Sequence, residues 1–246
     1  MQRRQLIRAL PASLIATTAH AAEPAAPSSP VAFAPEQYPT FAAWLDAART
    51  AALHSVAQSG AKNQEQFMQF LALWATAMPN PVEPAWQPIA GANQRLEFAS
   101  LFKGRPFVVA ALKLNPGCVL PVHCHPGGGA VSVCIEGSLV MRHYELVASS
   151  APFTETGATV DVDEVAAASL RVNQFTLFTP TRANLHGFEA GPNGATLVEM
   201  TVQWAGTGAF SYFKPHGAAI VSPDGAFRRH RGSWVGMDIG SAYGSA

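Results

Sequence analysis

Charged side chains are scarce in this chain. They make up 13% of 246 residues, with 16 basic groups against 16 acidic. Without an excess of positive charge there is no electrostatic footprint for nucleic acid. The one basic cluster, Arg228-Arg229-His230-Arg231, reads as a solvated surface segment. Cysteine is scarce too. Cys118, Cys124 and Cys134 cannot all pair within one chain, which excludes a disulfide scaffold and leaves one bridge open. No internal repeat is visible, so a solenoid or propeller is excluded. What the chain does have is apolar material. At 48% hydrophobic residues, it can build one sizeable core.

The N-terminus has its own character. "MQRRQLIRALPASLIATTAHAAEPAAP" begins with Arg3, Arg4 and Arg8, continues through a mildly apolar run from Ala9 to Ala19, and reaches the small-x-small site Ala19-His20-Ala21. This is the pattern of an export signal over residues 1–21. The run is too short to cross ~30 Å of hydrocarbon as a helix, so no membrane span is expected after cleavage. Arg3-Arg4-Gln5-Leu6-Ile7-Arg8 also resembles the twin-arginine signal, which implies a folded, cofactor-loaded protein exported to the periplasm. Cleavage after Ala21 would remove three arginines and no acid.

Residues 22–40 are rich in Ala, Pro and Ser and read as a linker. Over residues 41–80, Trp44, Leu45, Ala48 and Ala52, then Phe67, Phe70, Leu71 and Trp74, recur at helical spacing. Gly60 divides this segment into two helices, and Pro79-Asn80-Pro81 stops the second. Residues 81–246 change period. Short β-branched and aromatic runs, Pro106–Leu114, Gly137–Leu146, Phe175–Thr179 and Ala195–Trp204, are bounded by Gly, Pro or Asn. They predict an antiparallel barrel or sandwich. Ala148 to Asn173 reads as a long loop with a fragment of strand.

The chemistry concentrates in "GCVLPVHCHPGGGAVSVCIEG". On a strand, His123 and His125 face one side and Cys124 the other. Two imidazoles on one face can grip a metal ion, and His186 in "PTRANLHGFEA" is the best candidate for a third. His54, His143, His216 and His230 read as structural or surface residues.

This motif resembles the first cupin motif: Gly117, five residues, His123-x-His125, and a closing Gly137. The resemblance implies an all-β cupin (jelly-roll) barrel behind an N-terminal pair of α-helices. Cupins usually carry a glutamate four or five residues after the second histidine. Here those positions are Gly129 and Ala130, so that acid ligand is absent. Three histidines without a carboxylate resemble the ligand set of the plant cysteine oxidase and cysteamine dioxygenase family. Pro121-Val122-His123-Cys124-His125-Pro126-Gly127, then Gly137-Ser138-Leu139, then Pro180, His186 and Phe188 match its features. The likeness spans roughly Phe41 to Lys214. Cys124 replaces the family's aspartate, and Glu199 stands where the family has a late-strand carboxylate one carbon shorter. Trp204 stands near the family's Pro-Pro-Tyr, and Tyr212 resembles a later aromatic.

By that resemblance, His123, His125 and His186 hold Fe(II), and Glu199 and Tyr212 assist catalysis. The expected substrates are O2 and a small thiol or an N-terminal cysteine peptide, oxidised to a sulfinic acid. A monomer is expected. A missing carboxylate leaves the metal more positive, which favours an anionic sulfur ligand. Two other readings stay open: a metal-dependent cupin enzyme acting on a non-thiol substrate, and a non-enzymatic metal- or ligand-binding cupin.

Overall fold

The computed structural model describes residues 38–243, except 59, 82–83, 90–91, 93–95, 148–155, 182–183, 206–209, 226 and 238. The export segment 1–21 lies outside the described residues, as does the linker up to residue 37. Contacts divide the chain into Met1–Ala32 and Phe33–Ala246, and every described residue belongs to the second unit.

Two helices come first, α1 (Phe41–Ala57) and α2 (Ala61–Thr76). Thr40 caps α1, its hydroxyl accepting from the Ala43 N–H at 3.2 Å. Gly60 separates the helices, as the sequence predicts. Trp44, Ala48, Ala52 and Ser55 form the buried face of α1, and Met68, Leu71, Ala72, Trp74 and Ala75 that of α2.

The strands follow in order: β1 (Gln87–Pro88), β2 (Leu96–Gly104), β3 (Phe107–Leu114), β4 (Val119–Cys124), β5 (Gly128–Leu146), β6 (Thr159–Arg171), β7 (Phe175–Phe178), β8 (Leu185–Gln203), β9 (Ser211–Pro215), β10 (Ile220–Val221) and β11 (Arg228–Trp234). A short helix, α3 (Ile239–Tyr243), ends the fold. These strands pair antiparallel throughout. β4, β8, β5, β6, β11 and β9 hydrogen-bond in sequence, and β9 returns to β4, so this part of the sheet closes on itself. The far halves of β5 and β8 run out of the ring. There they pair with β7 and β3, and β2 and β1 extend that sheet. The fold is the all-β jelly-roll barrel with an N-terminal helix pair that the sequence implied.

Alternation along the strands sorts the core. Phe107, Val109 and Ala111, Val131 and Val133, and Val198, Met200 and Val202 point outward and are covered by α1 and α2. Burying a side chain such as Phe107 or Val109 contributes roughly 1.5–3 kcal/mol, which holds the helices on this face. The intervening positions point inward. Leu112, Leu114, Cys134, Leu139, Met141, Leu170, Phe188 and Leu197 fill one end of the barrel.

Two expectations need correction, and one is sharpened. Residues 159–171 are a full strand, β6, rather than a loop with a fragment. Their alanines and acids have poor strand propensity, but β6 lies between β5 and β11 and is fixed by both ladders. The basic cluster is an ordered strand, β11, with Arg228 and Arg231 exposed at the surface as expected. Arg229 makes two 2.7 Å bonds to Asp163, and Arg231 bonds Asp161 at 2.8 and 2.9 Å. Finally, the runs beginning at Gly137 and Ala195 are only the second halves of β5 and β8. Gly137 marks a bulge within a strand rather than its start.

Candidate metal centre

Strand register builds the site. Across the ring, Tyr212 of β9 is paired with His123 of β4, His123 with His186 of β8, and His186 with His143 of β5. This places one tyrosine and three histidines in a row on one face of these strands, the face turned toward the extended sheet. On the extended sheet, Ala110 of β3 is paired with Glu199 of β8, and Glu199 with Ser132 of β5. In turn, Ser132 is paired with Thr176 of β7. The two rows meet through their side chains.

Each expected ligand lies inside. His123 is 2% exposed and His186 fully buried. His186 is the second residue of β8, not part of a turn before it. His125 falls just past the end of β4, yet its ring centre is 5.2 Å from that of His123 and 5.1 Å from that of His186. The Nε2 atoms of His123 and His186 approach to 2.7 Å. Cys124 faces the other way, into a cluster with Tyr144, Leu185, Phe213 and Trp234. All three cysteines are buried and none forms a disulfide, and burial pushes the Cys124 thiol up to about 12, leaving it inert.

Glu199 changes the picture drawn from the sequence. The cupin acid position is vacant, but a carboxylate reaches the histidines from another strand. Oε1 of Glu199 lies 3.6 Å from His125 Nε2, and Oε2 lies 3.7 Å from His186 Nε2. One ligand atom from each of His123, His125, His186 and Glu199 falls within 4.8 Å of all the others. The Ser132 hydroxyl donates to Glu199 Oε2 at 2.9 Å and fixes the carboxylate. Tyr212 stands at the edge of the group, its ring 5.7 Å from that of His123. No sequence pattern points to Ser132 or Thr176 here, because only the ladder between distant strands brings them in. His143, which reads from the sequence as a structural or surface residue, is 5% exposed, with Nε2 2.6 Å from the Thr176 hydroxyl. The signal for its inward face is its even spacing to the buried Leu139 and Met141.

Electrostatics prepares the group for a cation. Burial holds the His123 imidazole down at about 4, and burial together with the neighbouring imidazoles holds His125 and His186 well below the ordinary value. All three are neutral at pH 7 and keep a lone pair for a metal. His123 Nδ1 lies 2.9 Å from the Pro121 carbonyl, which can only accept, so Nδ1 carries the proton and Nε2 is the free donor of a lone pair. His125 Nε2 and His186 Nδ1 are buried without a hydrogen-bond partner. Burial pushes Glu199 up to about 7, against the Ser132 hydrogen bond, which lowers it. Burial, then the Glu199 charge, pushes the Tyr212 phenol up to about 12. Three neutral imidazoles and a carboxylate in a buried group fit a divalent transition-metal ion. Phe178, Phe188 and Phe210 pack against the histidine rings.

No family model matches the chain, and no curated protein sequence does. Among solved structures the chain is similar to the cupin domain of Cnp3 from Schizosaccharomyces pombe, at 16% identity over 48% of this chain and 68% of that one, with a TM-score of 0.34. It is similar to KdgF from Halomonas sp., at 13% identity over 48% and 84%, TM-score 0.34. It is also similar to a recombinant oxalate oxidase in complex with glycolate, at 12% identity over 56% and 63%, TM-score 0.39. The architecture rests on the strand order and register of this chain, not on these likenesses.

Proposed function

We propose that this protein is an exported, non-haem Fe(II) thiol dioxygenase acting on a small aminothiol or an N-terminal cysteine. The observation that carries this reading is the convergence of His123, His125 and His186 with Glu199 inside the barrel. The motif resemblance supplies the chemistry, and the N-terminal pattern supplies the periplasmic location. Iron held there would offer open positions to a thiolate and to dioxygen. The reaction balances without an outside reductant: RSH and O2 give RSO2H, both oxygen atoms ending on the sulfur.

The chain's own residues then divide the work. Ser132 occupies one lone pair of Glu199 Oε2. Oε1 faces the partly open His125 side, where it can accept from a substrate ammonium. Phe178, Phe188 and Phe210 keep water away from the histidines. Tyr212 stays protonated at neutral pH and can donate a hydrogen bond.

A second reading has a specific observation behind it. If Glu199 binds the metal directly, it cancels one unit of positive charge and weakens the preference for an anionic sulfur. A hydroxy-acid or diketone would then compete as substrate class.

Oxygen consumption by the anaerobically purified, Fe(II)-loaded protein tests both. Uptake with cysteamine or a Cys-initiated peptide, with a product two oxygen atoms heavier, is expected. Uptake only with a hydroxy-acid or diketone would install the second reading. No uptake with any candidate, despite bound iron, would leave a metal-binding module without turnover.

A further inference from the structure

Two of the three clustered histidines sit in strand ladders. His125 does not: β4 ends at Cys124, and His125 opens the turn His125-Pro126-Gly127-Gly128. The Gly128 N–H donates to the His125 carbonyl at 3.0 Å and closes it. Gly127 has φ +69°, which suits the third position of a type II turn after proline. A turn alone is a loose mount for a ligand, so something must fix it.

The exit of β8 does so. The N–H groups of Trp204 and Ala205 donate to the Gly127 carbonyl at 3.1 and 3.2 Å. The Gln203 side-chain amide donates to the Pro126 carbonyl at 2.7 Å and to the Ala205 carbonyl at 2.7 Å. One carboxamide thus spans the turn and the strand end, using both its N–H bonds. The approach is close, since a Cβ on Gly127 would stand 2.0 Å from the Ala205 oxygen. Trp204 continues the brace outward, its ring 6.2 Å from Phe67 of α2. A Cβ on Gly129 would meet Trp204 at 3.2 Å and Met68 of α2 at 3.3 Å.

We propose that Gln203 is the positioning residue that holds His125 in the metal centre, and that Trp204 extends this brace to the N-terminal helices. The inference rests on reading the cluster as a metal site, but it concerns residues outside the cluster. Losing the amide leaves the Pro126 and Ala205 carbonyls without that donor and lets the turn carry His125 out of register with His123 and His186. Such outer partners typically govern metal affinity by about 10- to 100-fold.

The test uses Co(II) as probe, on the parent, Gln203→Leu, Gln203→Glu and His125→Ala. Affinity, the ligand-field spectrum and metal-free melting are measured for each. Gln203→Leu should weaken Co(II) binding by about 10- to 100-fold and move the spectrum toward that of His125→Ala, with metal-free melting close to the parent's. Gln203→Glu is nearly isosteric but cannot donate when ionised, so it should reproduce both changes. It carries the test if the leucine variant fails to fold. Parent-like affinity and spectrum in the glutamate variant would overturn the proposal. So would weaker binding with an unchanged spectrum and a parallel loss of melting temperature. A parent that binds no Co(II) would instead overturn the metal-centre reading itself.

Discussion

The barrel carries two polar clusters, and they obey opposite rules. On its outer side, Asp161 and Asp163 of β6 face Arg231 and Arg229 of β11, each acid gripped by both arms of a guanidinium. The arginines hold Asp161 below its ordinary range, so charge is kept and answered by charge. Inside, His123, His125, His186 and Glu199 meet no arginine or lysine among the described residues. Burial drives all of them toward neutrality and leaves two imidazole nitrogens without hydrogen-bond partners. A polar group that stabilises a fold is satisfied by the fold. Where unpartnered imidazole nitrogens converge on a buried carboxylate, the group is prepared for a cation.

The sharpest way to break this contrast is His186→Ala. Metal affinity should fall by more than the about 10- to 100-fold expected from losing an outer partner. Melting of the metal-free protein should change little, because the packing that the imidazole provides is offset by removing a buried Nδ1 that has no partner. Isothermal titration and thermal melting report the two quantities separately.

Glu199→Gln comes next. Folding raises this carboxyl from 4.5 to about 7, so between those values the folded chain binds a proton that the unfolded chain has released. Stability therefore falls as pH rises through this window, by about 3 kcal/mol at most. The metal-free glutamine variant should be more stable than the parent at pH 8, and its advantage should vanish near pH 4.5. The histidines act in the other direction. His123 drops from 6.5 to about 4, so its contribution is present above pH 6.5 and lost as pH falls toward 4. Denaturant titrations across this range separate the two, since only the acid limb should survive in the glutamine variant.

Cys124→Ala asks whether the wall separates the two sides. Cys124 packs on the face away from the histidines, in the core of the closed ring with Trp234 and Phe213. Its loss should cost about 1 kcal/mol of stability and leave metal affinity unchanged. The smallest effect belongs to Arg231→Ala on the outer ladder. It should lower melting slightly, more at low salt than at high, and leave the metal centre untouched.

Local pattern carries much of the fold. The helix pair, the break at Gly60, and strands β3 and β7 follow from spacing and punctuation. The His-x-His motif also points to the region where the histidines converge. What escapes depends on pairing between distant strands. β6 reads as a loop with a fragment of strand because its alanines are held by β5 and its acids by β11, more than sixty residues away in sequence. Glu199 stands out by its place in a late strand, but its approach to His125 and His186 depends on the register of β8 against β5. His143 reads as incidental because its partner, Thr176, comes from β7, and no pattern near His143 points there.

Co(II) titration of the parent beside His186→Ala tests most directly whether the inner cluster is a metal centre. One equivalent per parent chain, with ligand-field bands that disappear in a folded His186→Ala variant, is the predicted result. Equal binding by both proteins, or no binding by the parent, would contradict it.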